Sequence, residues 1–510
     1  MLNYRAKNSR KHAFQKFFNG ILGKMILTGL PLSFLSSLPC LVSAQQKPNV
    51  VLIYIDDLGY GDLSCYGATK IATPNVDLIA KRGLKFTNGH TTSATCTPSR
   101  YALMSGEYPW REKGRNILPG DAALILSTNK TSLPKVFKAA GYQTAIVGKW
   151  HLGLGDKVSK DWNGDISPGP NEIGFDYSFI FPATADRVPT VFMENHSVIG
   201  LEKGDSIEVD YGKKVGDEPT GKEHPELLKL PSSVGHNNTI VNGIGRIGYM
   251  KGGKKARWTD EELAPTFLTK AMQFIEKNQK KPFFLYYALN DIHVPRMPAT
   301  MFKGKSEMGY RGDAILEMDW AVGEITKQLD ELGLTKNTII IFSSDNGPVL
   351  DDGYADEAIA KQNGHLPAGP LRGAKTSVYE GGTRVPFIVS WPEKIKPGQS
   401  DALVNQIDLL ASFAGYFKVP IKNGEAGDSE NQFAAFTGAD RVGRKMMIEE
   451  GYNNLAVVKG NWKYIAPFGK NGDQLFDLKA DIGEKNNVVA KFPEKVSELK
   501  SLLATETSKK

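Results

Sequence analysis

Apolar positions along the chain follow two different spacings. Residues 49–55, Asn-Val-Val-Leu-Ile-Tyr-Ile, form a continuous apolar, β-branched run, the pattern of a strand buried on both faces. Runs of the same kind lie at 144–147, 283–289, 338–342 and 387–391. Between them apolar side chains recur every three to four residues, which predicts helices over 73–84, 133–140, 260–278 and 313–332. Pro74 suits the first turn of one, and Gly141 and Gly333 close two others. Strands alternating with helices predict an α/β fold, with a large mixed, mainly parallel sheet flanked by helices on both faces.

The polar residues at the strand ends give this prediction a chemical meaning, because such sheets bind ligands beyond the carboxyl ends of their strands. The first run ends in Asp56-Asp57, the second in Gly148-Lys149-Trp150-His151, the third leads to His293, and the fourth ends in Ser343-Ser344-Asp345-Asn346. Adjacent carboxylates at the end of a buried strand repel each other and lose hydration, so a bound cation relieves them; an acidic turn open to water is the alternative. Lysine and histidine at the same edge suit an anion and a proton transfer. Lys375, in Leu371-Arg372-Gly373-Ala374-Lys375, could reach the same anion, and Glu380-Gly381-Gly382 permits close backbone approach.

Periodicity fades over 155–257, where Gly, Pro, Asp and Lys are frequent, as in a long irregular excursion that carries recognition rather than the fold. After residue 398 the pattern changes again, with helices expected at 407–413 and 494–503 and strands at 446–448 and 455–458. This divides the chain into 1–44, a leader; 45–398, the large α/β domain; and 399–510, a smaller C-terminal α+β subdomain.

Composition fits a folded chain of 510 residues, 41% hydrophobic. The net charge of +7 suggests a nucleic-acid or membrane partner until it is located. Six basic residues and no acidic one fall in 1–44, which leaves about +1 on the rest and argues against nucleic acid. That segment has the layout of a secretory signal, with cleavage expected after Ala44 and export to the periplasm or the extracellular space. Pro31 and Pro39 break its apolar run, and no stable membrane span is expected. Cys40 leaves with the leader. Cys65 and Cys96 remain, too close in sequence to staple a domain that needs no staple.

Cys96 lies in Cys96-Thr97-Pro98-Ser99-Arg100, within a loop by the periodicity. Taken alone, Cys96 reads equally well as a small buried hydrophobe and as a reactive group beside an anion-seeking arginine. Together with Gly141-Tyr142-Gln143-Thr144-Ala145-Ile146-Val147-Gly148-Lys149-Trp150-His151, the stretch resembles the two signatures of the formylglycine-dependent sulfatases, a family of the alkaline-phosphatase superfamily. The likeness extends from about Pro48 to Ala490, is weakest over 155–257, and includes Asp345-Asn346 and the closing Gln474-Leu475-Phe476-Asp477-Leu478.

The resemblance implies a sulfatase whose Cys96 is oxidised after synthesis to formylglycine, by a formylglycine-generating enzyme or an anaerobic maturase, with the hydrate as nucleophile. It implies one Ca²⁺ held by Asp56, Asp57, Asp345, Asn346 and residue 96. Arg100 would then stabilise the hydrate, Lys149 and Lys375 neutralise sulfate oxygens, His293 with Lys375 protonate the leaving oxygen, and His151 deprotonate the second hydroxyl. The substrate it suggests is a sulfated carbohydrate, with 6-O-sulfated galactose or N-acetylgalactosamine favoured by likeness to bacterial N-acetylgalactosamine-6-sulfatases. Asp186, Arg187, His236 and Arg296 are the candidate sugar contacts, because hydroxyls need paired donors and acceptors. A phosphatase or phosphodiesterase of the same superfamily would share the fold, and an unmodified Cys96 would leave a non-catalytic glycan-binding protein.

Overall fold

Ten strands build the central sheet of the computed structural model, which describes residues 47–158 and 160–509. The leader and its cleavage site at Ala44 lie outside the described residues. In chain order the strands are Asn49–Ile55 (β1), Leu84–Phe86 (β2), Gln143–Lys149 (β3), Tyr177–Phe181 (β4), Met193–Glu194 (β5), Ser197–Val198 (β6), Phe283–Ala288 (β7), Thr338–Ser344 (β8), Phe387–Ser390 (β9) and Gly398–Ser400 (β10). Across the sheet they run β10-β2-β9-β8-β1-β7-β3-β4-β5-β6. The five central strands, β8, β1, β7, β3 and β4, are mutually parallel, and antiparallel pairs at β8/β9 and β4/β5 make the sheet mixed.

All seven residues of β1 are buried, as the unbroken apolar run requires. Its side chains alternate between two cores. Val50, Leu52 and Tyr54 face one layer, which also holds side chains from the helices Cys96–Ser105 (α1), Leu133–Ala139 (α2) and Leu409–Phe417 (α3). Val51, Ile53 and Ile55 face the other, with Leu263–Asn278 (α4), Gly309–Glu331 (α5) and the short helix Pro74–Arg82. Each such aliphatic side chain contributes about 1.5–3 kcal/mol when fully buried. Gly148 is where β3 passes closest to β7: a Cβ there would lie 1.9 Å from the Ala288 carbonyl oxygen, and its φ of 117° favours glycine.

Two local expectations change. The stretch beginning at Cys96 is the first turn of a helix rather than a loop, with Pro98 tolerated where the amides lack intrahelical acceptors. The long helix α5 begins at Gly309, not at Asp313, because the Asp313 carboxylate accepts from the Gly304 and Ser306 amides and so ties the preceding turn onto it.

Past residue 398, β10 pairs with β2 and α3 packs on α2, so this part of the chain still builds the large layer. A four-stranded antiparallel sheet then forms from Met447–Glu450, Leu455–Lys459, Trp462–Ile465 and Gln474–Asp477, with the helix Pro493–Ser508 on one face. It meets the rest through apolar contacts with Ala102, Tyr108, Ile407, Val378 and Leu403 and through a buried polar network. Lys463, fully buried, places Nζ 2.8 Å from Glu380, 2.9 Å from Glu449 and 3.6 Å from Glu484, while Glu449 also meets His90 at 2.8 Å. Burial pushes the Glu484 carboxyl up to about 7, and Lys463 and Arg384 hold Glu380 well below the usual carboxylate range against its own desolvation.

Removing one member of such a buried network strands the others, at a typical cost of about 3–5 kcal/mol. Lys463→Met should therefore lower the stability measured by urea unfolding by about that amount. A change indistinguishable from wild type would show that this network does not anchor the C-terminal sheet.

Candidate active site

Because β8, β1, β7 and β3 are parallel, their polar carboxyl ends emerge at one edge. The Asp345 amide donates to Ile55 O and the Ile292 amide to Asp56 O, so hydrogen bonding carries the strand alignment into the loops that bear the site. Asp56, Asp57, Lys149, His151, His293, Asp345 and Asn346 are all buried there. Cys96 joins them as the first residue of α1 and is 1% exposed. Asp57 and His151 have φ of 60° and 54°, a left-handed conformation that non-glycine residues adopt only when their surroundings impose it.

The charges interlock. Lys149 Nζ lies 2.5 Å from Asp56 Oδ2, and Lys375 Nζ 3.0 Å from Asp57 Oδ2. Arg100 donates through Nε and Nη2 to Asp345 Oδ2 at 3.0 and 2.8 Å, reaches within 3.8 Å of Asp56 Oδ1, and stacks its guanidinium 5.3 Å from the Tyr54 ring. Asn346 Nδ2 donates to Asp57 Oδ1 at 2.7 Å. Burial alone would raise the Asp57 carboxyl, but Lys375, His293 and Lys149 outweigh it and hold it well below the usual range. Asp345, desolvated and beside Asp56, is pushed up to about 6 in spite of Arg100 and Lys149. Burial, followed by the neighbouring carboxylates, makes Cys96 a poor thiolate despite Lys149 and Lys375.

Two histidines differ in which nitrogen they leave open. His151 Nε2 lies 3.0 Å from Leu118 O; a carbonyl only accepts, so Nε2 carries the hydrogen and Nδ1, buried and without a partner, is bare. Burial, then Lys149 and Arg187, lower its pKa well below 6.5, which keeps it a neutral base. His293 spends Nδ1–H on Val294 O at 2.7 Å and points Nε2 between Asp57 and Asp352, 3.9 Å from each. Burial and the Lys375 charge bring it down to about 4.

A cation fits this donor set. Among the described residues Asp56 Oδ1 and Asn346 Oδ1 are buried with no hydrogen-bond partner, and oxygens of Asp56 and Asp57 lie within 4.8 Å of a His293 ring nitrogen and of each other. Unpaired buried oxygens on carboxylates and an amide are the ligands a hard divalent ion takes. Closing the site from behind, Gly347 sits where a Cβ would meet Gly381 O at 1.8 Å, so Glu380-Gly381-Gly382 packs directly against the segment that carries Asn346.

The outer residues divide. Asp186 Oδ2 meets His236 Nε2 at 3.0 Å and Asp186 Oδ1 meets Arg187 Nη1 at 2.9 Å, and the Arg187 charge is felt at Cys96 and Asp352. Arg296 does not join them. It is 1% exposed and gives its guanidinium donors to Ile292 O, Leu350 O, Val349 O and Asp356, which fixes the loops instead of facing outward. The sequence reading missed Asp352, whose Oδ2 lies 2.7 Å from Lys375 Nζ and whose side chain is 36% exposed. The signal available was the acidic pair Asp351-Asp352, six residues past the Asp345-Asn346 strand end.

Known proteins carry the same arrangement of sequence and fold. The Sulfatase family profile matches residues 48–419. The N-acetylgalactosamine-6-O-sulfatase of Bacteroides thetaiotaomicron is 52% identical over 473 residues, 90% of this chain and 93% of its own. Human arylsulfatase A is 33% identical over 402 residues, covering 78% of this chain and 69% of its own. A solved 6S-sulfatase structure from work on glycosaminoglycan metabolism by Bacteroides thetaiotaomicron superposes with a TM-score of 0.90 at 51% identity, over 91% of this chain and all of that one. With the family profile covering most of its length and the fold shared throughout, the chain belongs to the sulfatase family of sulfuric ester hydrolases.

Proposed function

We propose that this sulfatase removes the 6-O-sulfate from N-acetylgalactosamine, or from galactose, in a sulfated glycan, after export of the chain to the periplasm or beyond. The observation that carries the substrate is the 52% identity to an N-acetylgalactosamine-6-O-sulfatase across nearly its whole length. A phosphatase or phosphodiesterase reading is weaker, because the site combines Cys96 with oxygen ligands. Among the described residues, no helix is long and apolar enough to cross a membrane.

Cys96, converted to formylglycine by a formylglycine-generating or anaerobic maturase, supplies a hydrated aldehyde as nucleophile where the desolvated thiol would be inert. Asp56, Asp57, Asp345, Asn346 and residue 96 would hold one Ca²⁺, which supplies Lewis acidity to a sulfate oxygen. With the carboxylates so engaged, Lys149 and Lys375 are free to neutralise the other sulfate oxygens, and Arg100 orients the attacking hydroxyl. The negative charge of the ester beside Lys375 raises the pKa of His293, whose Nε2 then carries the proton handed to the leaving sugar oxygen. Asp345 takes the proton of the attacking hydroxyl, whose oxygen bonds sulfur as the bond from sulfur to the sugar oxygen breaks. His151, neutral and with Nδ1 bare, then takes the proton of the second hydroxyl at residue 96, so that the C–O bond to the sulfate breaks, the aldehyde re-forms and sulfate leaves. Asp186, Arg187, His236 and Asp352 form the polar wall that meets the sugar hydroxyls.

Turnover of matched mono-sulfated N-acetylgalactosamines tests the substrate: the 6-O-sulfate is cleaved, whereas cleavage of the 4-O-sulfate with the 6-O-sulfate left intact would refute it. His293→Asn should lower kcat on the sugar sulfate by about 10²–10⁴-fold and spare an activated aryl sulfate, whose phenolate leaves without a proton. Equal losses on both substrates would remove the acid role. Added Ca²⁺ should raise the thermal midpoint of the wild type, and Asp56→Asn should abolish that rise. An equal rise in both would mean that the ion binds elsewhere.

A further inference from the structure

A cavity of about 420 Å³ is lined by Thr376, the residue that follows Lys375. Lys375 ends on Asp57, while the next residue, Thr376, lines the cavity. Thr376 is a β-branched residue held at φ 73°, an outlier its surroundings must impose. Its amide donates to Ala94 O at 2.7 Å, two residues before Cys96, and its carbonyl accepts from the Tyr452 amide at 2.8 Å. The nucleophile loop, the Lys375 segment and the cavity wall are therefore one hydrogen-bonded unit.

The lining is a mixture of rings and amides. Tyr379, Tyr452 and Phe468 supply aromatic surface, and Asn453, Asn454 and Asn471 supply side-chain amides that no protein hydrogen bond engages among the described residues. Tyr379 is fixed by its hydroxyl, which donates to Gln474 Oε1 at 2.8 Å, and by the Arg372 guanidinium stacked 3.9 Å from its ring centre. Phe468 and Asn471 are fixed by reciprocal backbone bonds of 3.1 and 3.0 Å across a tight turn. Tyr452 and Phe468 nevertheless leave 63% and 45% of their surface exposed and, among the described residues, stack on no other ring. Large exposed rings in a concave site mark a binding surface.

No lining residue carries a formal charge. The Arg372 guanidinium behind the Tyr379 ring is committed to that ring and to Glu484 O, so the sulfate itself and a nucleic-acid phosphate are poor ligands for this cavity. Its match is an uncharged molecule with apolar C–H faces and a rim of hydroxyls, since amides offer donors and acceptors together and the rings take the apolar face. That is the chemistry of a pyranose.

We propose that this cavity is a glycan subsite holding an unsulfated sugar residue of the same chain whose sulfate ester occupies the Cys96 site. The identity of the chain as substrate rests on the function proposed above; the subsite itself rests on the cavity. It would make the enzyme favour oligosaccharides over the sulfated monosaccharide.

Tyr452→Ala and Phe468→Ala, both exposed and outside the catalytic machinery, test it. Each should lower kcat/KM on a sulfated tetrasaccharide by about five- to tenfold, mainly through KM, and leave the sulfated monosaccharide within about twofold of wild type. Equal losses on both substrates, or no loss on either, would overturn the subsite. A second arm is independent of catalysis: calorimetric binding of the matching unsulfated tetrasaccharide to wild-type protein still carrying the Cys96 thiol. Binding that weakens in Tyr452→Ala supports the subsite even if no sulfate ester is turned over, in which case only the proposed function fails. Absence of binding to the wild type would overturn it.

Discussion

Two neighbouring carboxylates, Asp56 and Asp57, sit fully buried at the end of a strand that is itself buried throughout. Ionised carboxylates cannot be desolvated there without counter-charge, and the rest of the site answers that requirement. Lys149 arrives on β3, Lys375 on a loop, and Arg100 on the helix that starts at Cys96, each within ion-pair distance of these carboxylates. The parallel sheet matters because it delivers these groups to one edge at fixed register, and a cluster of buried opposite charges is also a place that can exchange its internal partners for a cation and an anion. Rigidity comes from the same source: the left-handed Asp57 and His151 are held by strands that cannot shift without breaking both cores.

The division of labour between the two histidines follows from small differences in backbone position. His151 spends Nε2 on Leu118 O and keeps Nδ1 bare, whereas His293 spends Nδ1 on Val294 O and keeps Nε2 toward the carboxylates. Both are held neutral by burial and by nearby cations; in the proposed mechanism an ester beside Lys375 restores the proton of His293. In the proposed mechanism identical side chains thus serve opposite proton transfers, set by which carbonyl each one meets.

Much of this was legible before the structure. Unbroken apolar runs in a parallel sheet can only be core strands, and the polar residues that end them must share an edge, so the meeting of Asp56, Lys149, His293 and Asp345 followed from sequence order alone. The helix beginning at Cys96 did not follow, because Cys-Thr-Pro-Ser carries no apolar period and its helical state is supported by packing against α2 and α3. Arg296 and Asp186 looked alike as polar residues in irregular segments; only the fold commits Arg296 to internal carbonyls and joins Asp186 to Arg187 and His236. Asp352 and the cavity lined by Thr376 were hidden for the same reason, since loops place side chains by contacts that are distant in sequence.

The central claim is that a buried, unreactive thiol at position 96 becomes the nucleophile by oxidation within this charge cluster. Mass spectrometry of the peptide that carries residue 96, taken from protein made in its native host, tests it most directly. The peptide from active enzyme should carry the mass of the aldehyde or its hydrate at that residue. An active enzyme whose peptide carries only the unmodified Cys96 thiol would contradict it.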